Sequence, residues 1–160
     1  MNRFAWDVRN QAGFSMPPGP YQVRLRSGTV TLTQPLNVTI DPNVALDGVT
    51  VADLKEQYEH NVRMRQLVGD VSETVARVRE MQASLRSGGD AKKISAVDAI
   101  AAKLSSEPVR YGKPGLQAHI TYLAGMTTGA DQKIGRDAVE RYGVLRKELD
   151  AIRAELDSLR

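Results

Sequence analysis

Two histidines are the side chains of this sequence best suited to acid–base or metal chemistry. His60 and His119 are the only histidines, and neither has a second histidine three or four residues away. A helical zinc site usually supplies two ligands at such a spacing. His119 lies in the apolar stretch LQAHITYL. We therefore expect it to be a core or boundary residue, and a catalytic or ligand role is the alternative.

Paired carboxylates are the second kind of candidate, since two neighbouring acids can act as general acid and base. Glu56 with Glu59, and Glu148 with Glu155, have the spacing for such pairs. Each of these four has a lysine or arginine within four residues along the chain. We expect them to form ion pairs on solvated helix faces, and not a catalytic centre.

Sequence motifs for cofactor chemistry are missing. The sequence has no phosphate-binding loop, no dinucleotide-binding glycine pattern and no H-E-x-x-H. It has no cysteine, which excludes disulfides, thiolate catalysis and cysteine-based zinc sites. The sequence therefore predicts no catalytic residue, no cofactor and no metal site.

The charge and the hydropathy of the sequence argue against two further classes, nucleic-acid-binding proteins and membrane proteins. The net charge is +3 over 160 residues, without a block of like charge. This predicts no nucleic-acid partner. No apolar run approaches the roughly 20 residues that span a bilayer, and the N-terminus lacks the apolar core of a signal peptide. The amphipathic segments carry charges of both signs on their polar sides, which favours partner helices over a membrane surface.

The first 41 residues have the pattern of strands. YQVRLR alternates apolar and polar residues from Tyr21, and TVTLTQPLNVTI does the same after a Ser27-Gly28 turn. Pro35 lacks a backbone donor, which indicates an edge strand or a bulge. FAWDV, at residues 4–8, is a shorter third candidate.

The remainder is helical in pattern. A capping box at Thr50–Asp53 opens a long helix that ends near Ser87. Two shorter helices, ISAVDAIAAKLSSE and a buried LQAHITYLAGM, lead to a last helix that Asp131 could cap. The apolar residues of this last helix follow the 3.5-residue repeat of coiled-coil packing. They form a predicted helix-packing interface of Tyr142, Leu145, Leu149, Ile152, Leu156 and Leu159. We expect the two long helices to pack antiparallel.

Four segments together resemble a known family. They are NRFAWDVR, PPGPYQVRL, TLTQPLNVTIDPN and ADQKIGRDAVERYGVLRKELDAIRAEL. In this order they resemble the C-terminal region of large bacterial β-propeller proteins, sialidase-like (BNR) or sortilin-like, that carry the name glycosyl hydrolase. The spacing of Trp6, Asp7, Arg9, Gly13, Gly19 and Tyr21 also resembles an immunoglobulin-like sandwich.

The resemblance implies an accessory region, because the propeller of such proteins would hold any glycan site. No S-x-D-x-G-x-T box occurs in this sequence, so no catalytic residue carries over. A sandwich of this kind would have strands before NRFAWDVR. The resemblance therefore implies an incomplete sheet edge around Phe4, Trp6 and Val8, where a propeller domain or a second copy in a homodimer could dock.

These observations predict an α+β protein. A small antiparallel sheet, the partial sandwich, would occupy residues 1–49, and a bundle of about four helices residues 50–160. The predicted function is a non-catalytic accessory or interaction module. The alternatives are a part of a carbohydrate-acting enzyme whose propeller lies elsewhere, and a small-ligand binding module. The compartment stays open, although the resemblance implies that the parent proteins are exported.

Overall fold

A computed structural model of the chain describes residues 3, 5–88 and 90–159. The element order is β1 (Gly19–Ser27), β2 (Val30–Val38), α1 (Pro42–Leu46), α2 (Val51–Arg86), α3 (Ala91–Leu104), α4 (Leu116–Thr128) and α5 (Arg136–Asp157). The predicted α+β class is confirmed: a two-stranded antiparallel sheet precedes the helices. The described residues form no second sheet, which a complete sandwich would need.

The chain divides into two compact units. The first comprises Met1–Asn61 with Thr128–Ile134, and the second comprises Val62–Thr127 with Gly135–Arg160. The division falls within α2, so this helix contributes its first turns to one unit and the rest to the other. The hairpin belongs to the first unit and the helical core to the second.

The β1–β2 hairpin forms because alternating strands flank a turn that glycine favours. Ser27 pairs with Val30, so the loop contains two residues, Gly28 and Thr29. Gly28 has φ +56°, as the first central position of a tight hairpin turn requires. The register then continues without a bulge to Gly19 opposite Val38. β2 is an edge strand, as Pro35 indicated.

The third strand predicted at residues 4–8 is not formed. Phe4 lies outside the described residues, and Ala5 to Val8 have no strand pairing. Val8 takes a left-handed φ of +60° and opens a tight turn instead, in which Arg9 bridges Ser15. The Asn10 side chain stabilises this turn, because its Oδ1 accepts hydrogen bonds from the amides of Ala12 and Phe14 at 2.9 and 3.0 Å.

The long helix begins where the capping box predicted. The Asp53 amide donates to Thr50 Oγ1 at 3.1 Å, and the Thr50 amide donates back to the Asp53 carboxylate at 2.9 Å. The helix starts at Val51 and ends at Arg86, one residue inside each predicted bound.

Gln57 of α2 holds the connector between α4 and α5 in the first unit. The buried amide of Gln57 donates to the Ala130 carbonyl at 2.6 Å and accepts from the Gln132 amide at 3.1 Å. Both ends of one side chain are thus used to tie residues 130–132 to α2. Nearby, Leu54 and Ile134 are buried.

The core of the second unit is aliphatic and is shared by α2, α3, α4 and α5. Its buried residues are Met64, Leu67, Val71, Val75, Val78, Val97, Ile100, Leu104, Leu116, Ile120, Leu123, Leu145, Leu149, Ile152 and Leu156. Burial of such side chains stabilises a fold by roughly 1.5–3 kcal/mol each. This apolar set is the main source of the bundle's stability.

The predicted antiparallel packing of the two long helices is wrong, because α2 and α5 run parallel. The residue numbers of the contacting pairs increase together along the two helices. Arg63 lies over the Tyr142 ring at 5.7 Å. Further on, Arg146 pairs with Asp70, Arg153 bonds Thr74 at 2.9 Å, and Arg77 pairs with Asp157 at 2.6 Å.

The reason is the path between these helices. A reversal at each of the three connections would make α5 antiparallel to α2, but the chain reverses between α2 and α3 and between α4 and α5, and it does not reverse between α3 and α4. Gln82 of α2 bonds Asp98 of α3 at 2.6 Å, near the turn between them. The start of α4 lies beside Glu148, in the middle of α5, and the end of α4 leads into the start of α5. α3 and α4 therefore both run opposite to the long helices.

A closed loop, residues 105–115, permits α4 to continue in the direction of α3. The ends of this loop touch, since the Gly115 amide donates to Ser106 Oγ at 3.2 Å. A Cβ at position 115 would lie 2.6 Å from the Leu104 carbonyl oxygen, so glycine is required for this approach. The loop leaves the bundle and returns to the same place.

Two expectations about α4 and α5 are corrected. α4 is not buried throughout: Leu116, Ile120, Leu123 and Thr127 are buried, while Tyr122 and Met126 are exposed. α5 begins after Gly135 and not at Asp131, because residues 130 and 132 are held by Gln57 in a non-helical connector.

Candidate interaction surface

The hairpin places its apolar residues on one side. Residues directly opposite each other in an antiparallel pair share a face, and Leu25 pairs with Leu32 while Tyr21 pairs with Leu36. We call this side the hairpin face. Its apolar residues are Tyr21, Val23, Leu25, Val30, Leu32 and Leu36, and Gln34 lies on the same side, opposite Val23.

The hairpin face is open to solvent. Leu25 and Leu32 are 63% and 60% exposed, and Val23 and Val30 are about half exposed. A two-stranded hairpin is marginal in water without a layer packed on its apolar side. A contiguous apolar patch of this kind is typical of a surface that another molecule covers.

The opposite side of the hairpin is polar and basic. Arg24 faces Thr33, and Arg26 faces Thr31. The two strands contain these two arginines and no carboxylate. The hairpin is therefore amphipathic, with an excess of positive charge on its polar side.

Trp6 covers one end of the hairpin face. Its ring meets that of Tyr21 edge-to-face, with 6.1 Å between centroids. Its Nε1 donates to the Arg9 carbonyl at 2.8 Å, which holds the indole at the turn. Between Trp6 and the strands lies a groove of about 800 Å³. Its lining includes Val8, Tyr21, Val23, Leu36 and Asn37.

Tyr21 connects this end of the hairpin to the rest of the first unit. Its hydroxyl donates to the Pro17 carbonyl at 2.5 Å. Burial, with a smaller contribution from neighbouring Tyr58, raises the pKa of Tyr21 above its usual value. Tyr58 in turn accepts a hydrogen bond from the Asn10 side chain at 3.3 Å. The covered end is thus anchored to α2, while the turn end, with Leu25, Val30 and Leu32, is exposed.

Of the predicted sheet-edge residues, Phe4 lies outside the described part of the chain, while Trp6 and Val8 line the groove. The residues of the predicted helix interface lie in the second unit. Leu145, Leu149, Ile152 and Leu156 are buried in its core, and Tyr142 and Leu159 pack against it.

The chemistry-bearing residues are not brought together. His60 is buried, whereas His119 is exposed, contrary to the prediction of a core or boundary position. The helical period explains this difference, because burial in α4 follows Leu116, Ile120 and Leu123, and His119 lies off that stripe. Glu155 pairs with Lys103 at 2.7 Å on the surface. Across residues 3, 5–88 and 90–159, no three potential metal ligands cluster.

In the part of the chain that the structure describes, no helix is long and apolar enough to cross a bilayer.

The sequence pattern predicted β1 and β2 but not that the surface they form is exposed. Alternation predicted which residues share a face, including Val23, Leu25 and Leu32. The same pattern normally indicates a buried face. Exposure could be inferred only from the absence of a covering layer among the described residues.

Comparison with known proteins adds no relative. No protein-family model matches the sequence, and no curated protein or solved structure is significantly similar to it.

Proposed function

We propose that this chain is a non-catalytic interaction module whose hairpin face is the docking site for a protein partner. The observation that carries the proposal is the open apolar face, with Leu25 and Leu32 each about 60% exposed. The helical bundle has its own core of buried aliphatic side chains. Among the described residues, no three histidine or carboxylate side chains cluster as metal ligands.

The partner that we propose is another region of a β-propeller protein of the sialidase-like or sortilin-like kind. This part of the proposal rests on the resemblance of four segments, from NRFAWDVR to the last helix. The hairpin would then be one layer of a sandwich, and the partner would supply the second layer. A role as part of a carbohydrate-acting enzyme would follow only through such a propeller.

A second candidate is a small-ligand binding module, which the groove beside Trp6 favours. Its volume of about 800 Å³ is in the range of ligand pockets, and Trp6, Tyr21 and Asn37 combine aromatic and polar groups. A ligand held there would raise the thermal midpoint of the isolated chain. A partner on the turn end of the hairpin would require no such ligand.

Site-specific photocrosslinking tests the proposal in cells that produce the chain. A photoreactive amino acid in place of Leu32 reports on the hairpin face. The same photoreactive amino acid in place of Thr33 reports on the opposite side. We expect a discrete protein adduct from position 32 and none from position 33. Equal labelling from both positions would contradict the proposal.

Binding is then measured with the purified adduct partner. Because exposed apolar residues contribute most when buried at the centre of an interface, Leu25→Thr with Leu32→Thr should weaken binding about tenfold or more. The matched control is Thr31→Ser with Thr33→Ser on the other side. Unchanged affinity for the leucine variant would exclude the hairpin face as the docking site.

A further inference from the structure

The free edge of β1 has a complete set of main-chain hydrogen-bonding groups over residues 22–26, and Pro20, which has no N–H, lies at the end of this edge. In an antiparallel hairpin with a two-residue loop, the pair next to the loop is hydrogen-bonded. The next pair is not hydrogen-bonded, and the two kinds of pair alternate from there along the strands. Ser27–Val30 is that first pair. The N–H and C=O groups of Gln22, Arg24 and Arg26 therefore point away from β2.

The free edge of β2 is interrupted. The same alternation directs the main-chain groups of Thr31, Thr33 and Pro35 away from β1. Proline has no N–H, so this edge lacks a donor in its middle. Each strand has the other as its one neighbour in the described sheet. An incoming strand would find three consecutive complete positions on β1, whereas on β2 Pro35 separates Asn37 from Thr31 and Thr33.

Charge specifies what such a strand would carry. Arg24 and Arg26 are two residues apart on the polar side of β1, and both are exposed. No carboxylate of the described residues forms an ion pair with either one. A strand added beside β1 would place alternate side chains opposite these arginines, where carboxylates are favoured and cations disfavoured.

The remaining side chains of an added strand would extend the hairpin face. Positions between the carboxylates would lie beside Val23 and Leu25, which are 51% and 63% exposed. Apolar residues are favoured there, because they would bury these side chains.

We infer that the free edge of β1 binds an extended segment of a protein partner in which acidic residues alternate with apolar ones. The segment adds a strand through Gln22, Arg24 and Arg26, in the manner of β-strand addition. This inference rests on the proposed function and names the class of partner segment that the hairpin recognises. It differs from docking on the hairpin face alone, because it requires main-chain pairing and the arginines.

Defined peptides test the inference with the full chain. The probe is a labelled nine-residue peptide of alternating valine and glutamate, with a proline at each end to prevent self-association. One control replaces every glutamate by lysine. A second control has the same composition with valines and glutamates in pairs, which destroys the two-residue period.

Fluorescence anisotropy should show binding of the alternating glutamate peptide. The lysine peptide and the paired-order peptide should bind about tenfold more weakly or worse, because like charges face each other or the apolar side chains leave the hairpin face. Equal binding of all three peptides would overturn the inference.

Charge exchange identifies the edge. The double variant Arg24→Glu with Arg26→Glu should no longer bind the glutamate peptide and should bind the lysine peptide instead. Exposed positions of this kind tolerate substitution without loss of the fold. Backbone amide signals of Gln22, Arg24 and Arg26 should shift and become protected from exchange in the complex. Protection of the Thr31 and Thr33 amides instead would show that the peptide pairs with β2, and this would refute the inference.

The two proposals fail separately. If no peptide binds, but crosslinking from Leu32 and the leucine variant behave as described above, the edge inference is wrong and the docking function stands. If the crosslinking also fails, the interaction role of the hairpin is removed.

Discussion

Arg153 of α5 donates from Nε to the hydroxyl of Thr74 on α2 at 2.9 Å. The Thr74 hydroxyl donates in turn to the Asp70 carbonyl at 2.8 Å, and a second guanidinium nitrogen of Arg153 donates to the same carbonyl at 2.9 Å. Thr74 is fully buried, so these bonds satisfy a polar group inside the bundle. They also define the parallel register of the two long helices.

The parallel orientation predicts a distance pattern that spin labels can measure. The chain has no cysteine, so pairs of introduced cysteines can be labelled uniquely. Arg77→Cys with Asp157→Cys should give a short distance, because these side chains are 2.6 Å apart. Arg77→Cys with Arg141→Cys should be longer by an axial offset of roughly 24 Å. The reverse order would indicate antiparallel helices.

Removal of the Arg153 hydrogen bonds should destabilise the bundle. Arg153→Met keeps much of the apolar stem but leaves Thr74 and the Asp70 carbonyl with fewer partners. We expect a loss of about 1–3 kcal/mol in the free energy of unfolding, measured by urea denaturation. Lys147→Met on the exposed side of α5 is the control and should change the free energy little. Equal effects of both substitutions would contradict a specific role for Arg153.

Truncation of the α5 core residues should lower the free energy of unfolding by more than the Arg153 substitution does. Leu149 and Leu156 are buried, with exposures of 0% and 1%. Leu149→Ala and Leu156→Ala should each destabilise the protein by about 2–5 kcal/mol, because each leaves a cavity. Val144→Ala, at a half-exposed position of the same helix, is the control. A loss below about 1 kcal/mol at both leucines would show that the helix interface is not buried in solution.

The capping box predicts a pH dependence of stability. Hydrogen bonds from Thr50 lower the pKa of Asp53 below its usual value of 3.8, and Lys133 contributes through its charge. Because the folded-state pKa is the lower one, the stabilising effect of the carboxylate is present above the unfolded-state pKa. It is lost as the pH falls through the folded-state pKa.

Unfolding of wild type and Asp53→Asn, followed from pH 7 downward, checks this effect. The wild type should be the more stable at neutral pH, and the difference should disappear in acid. In a Thr50→Val background, which removes the hydroxyl donor, the Asp53→Asn substitution should have a smaller effect. A difference that persists unchanged into strong acid would rule out the carboxylate as its source.

Glycosidase assays check the non-catalytic proposal. Several of the described carboxylates lie in surface ion pairs or caps, such as Glu155 with Lys103 and Asp53 with Thr50. We expect no turnover of sialosides or aryl glycosides by the purified chain, because hydrolysis needs two carboxyl groups on either side of the bond. Sustained turnover that one carboxylate substitution abolishes would show that the chain is an enzyme.

Local patterns in the sequence were sufficient for the start of α2 and for the hairpin, although not for the strand predicted at residues 4–8 or for the start of α5. The Thr50–Asp53 capping box placed the start of α2, and the turn at Ser27-Gly28 placed the hairpin. These features depend on residues within a few positions of one another, so neighbouring side chains determine them. For the same reason, the 3.5-residue spacing from Tyr142 identified one face of α5.

Long-range contacts decided the direction of the helices and the identity of the surface. Whether α4 reverses after α3 depends on how the ends of the loop at residues 105–115 meet, and Gly115 makes that close approach possible. Likewise, alternation along β1 cannot reveal whether a second layer covers Val23 and Leu25. Covering a face requires residues distant in sequence, so burial is a property of the tertiary structure: it left His119 exposed and buried His60.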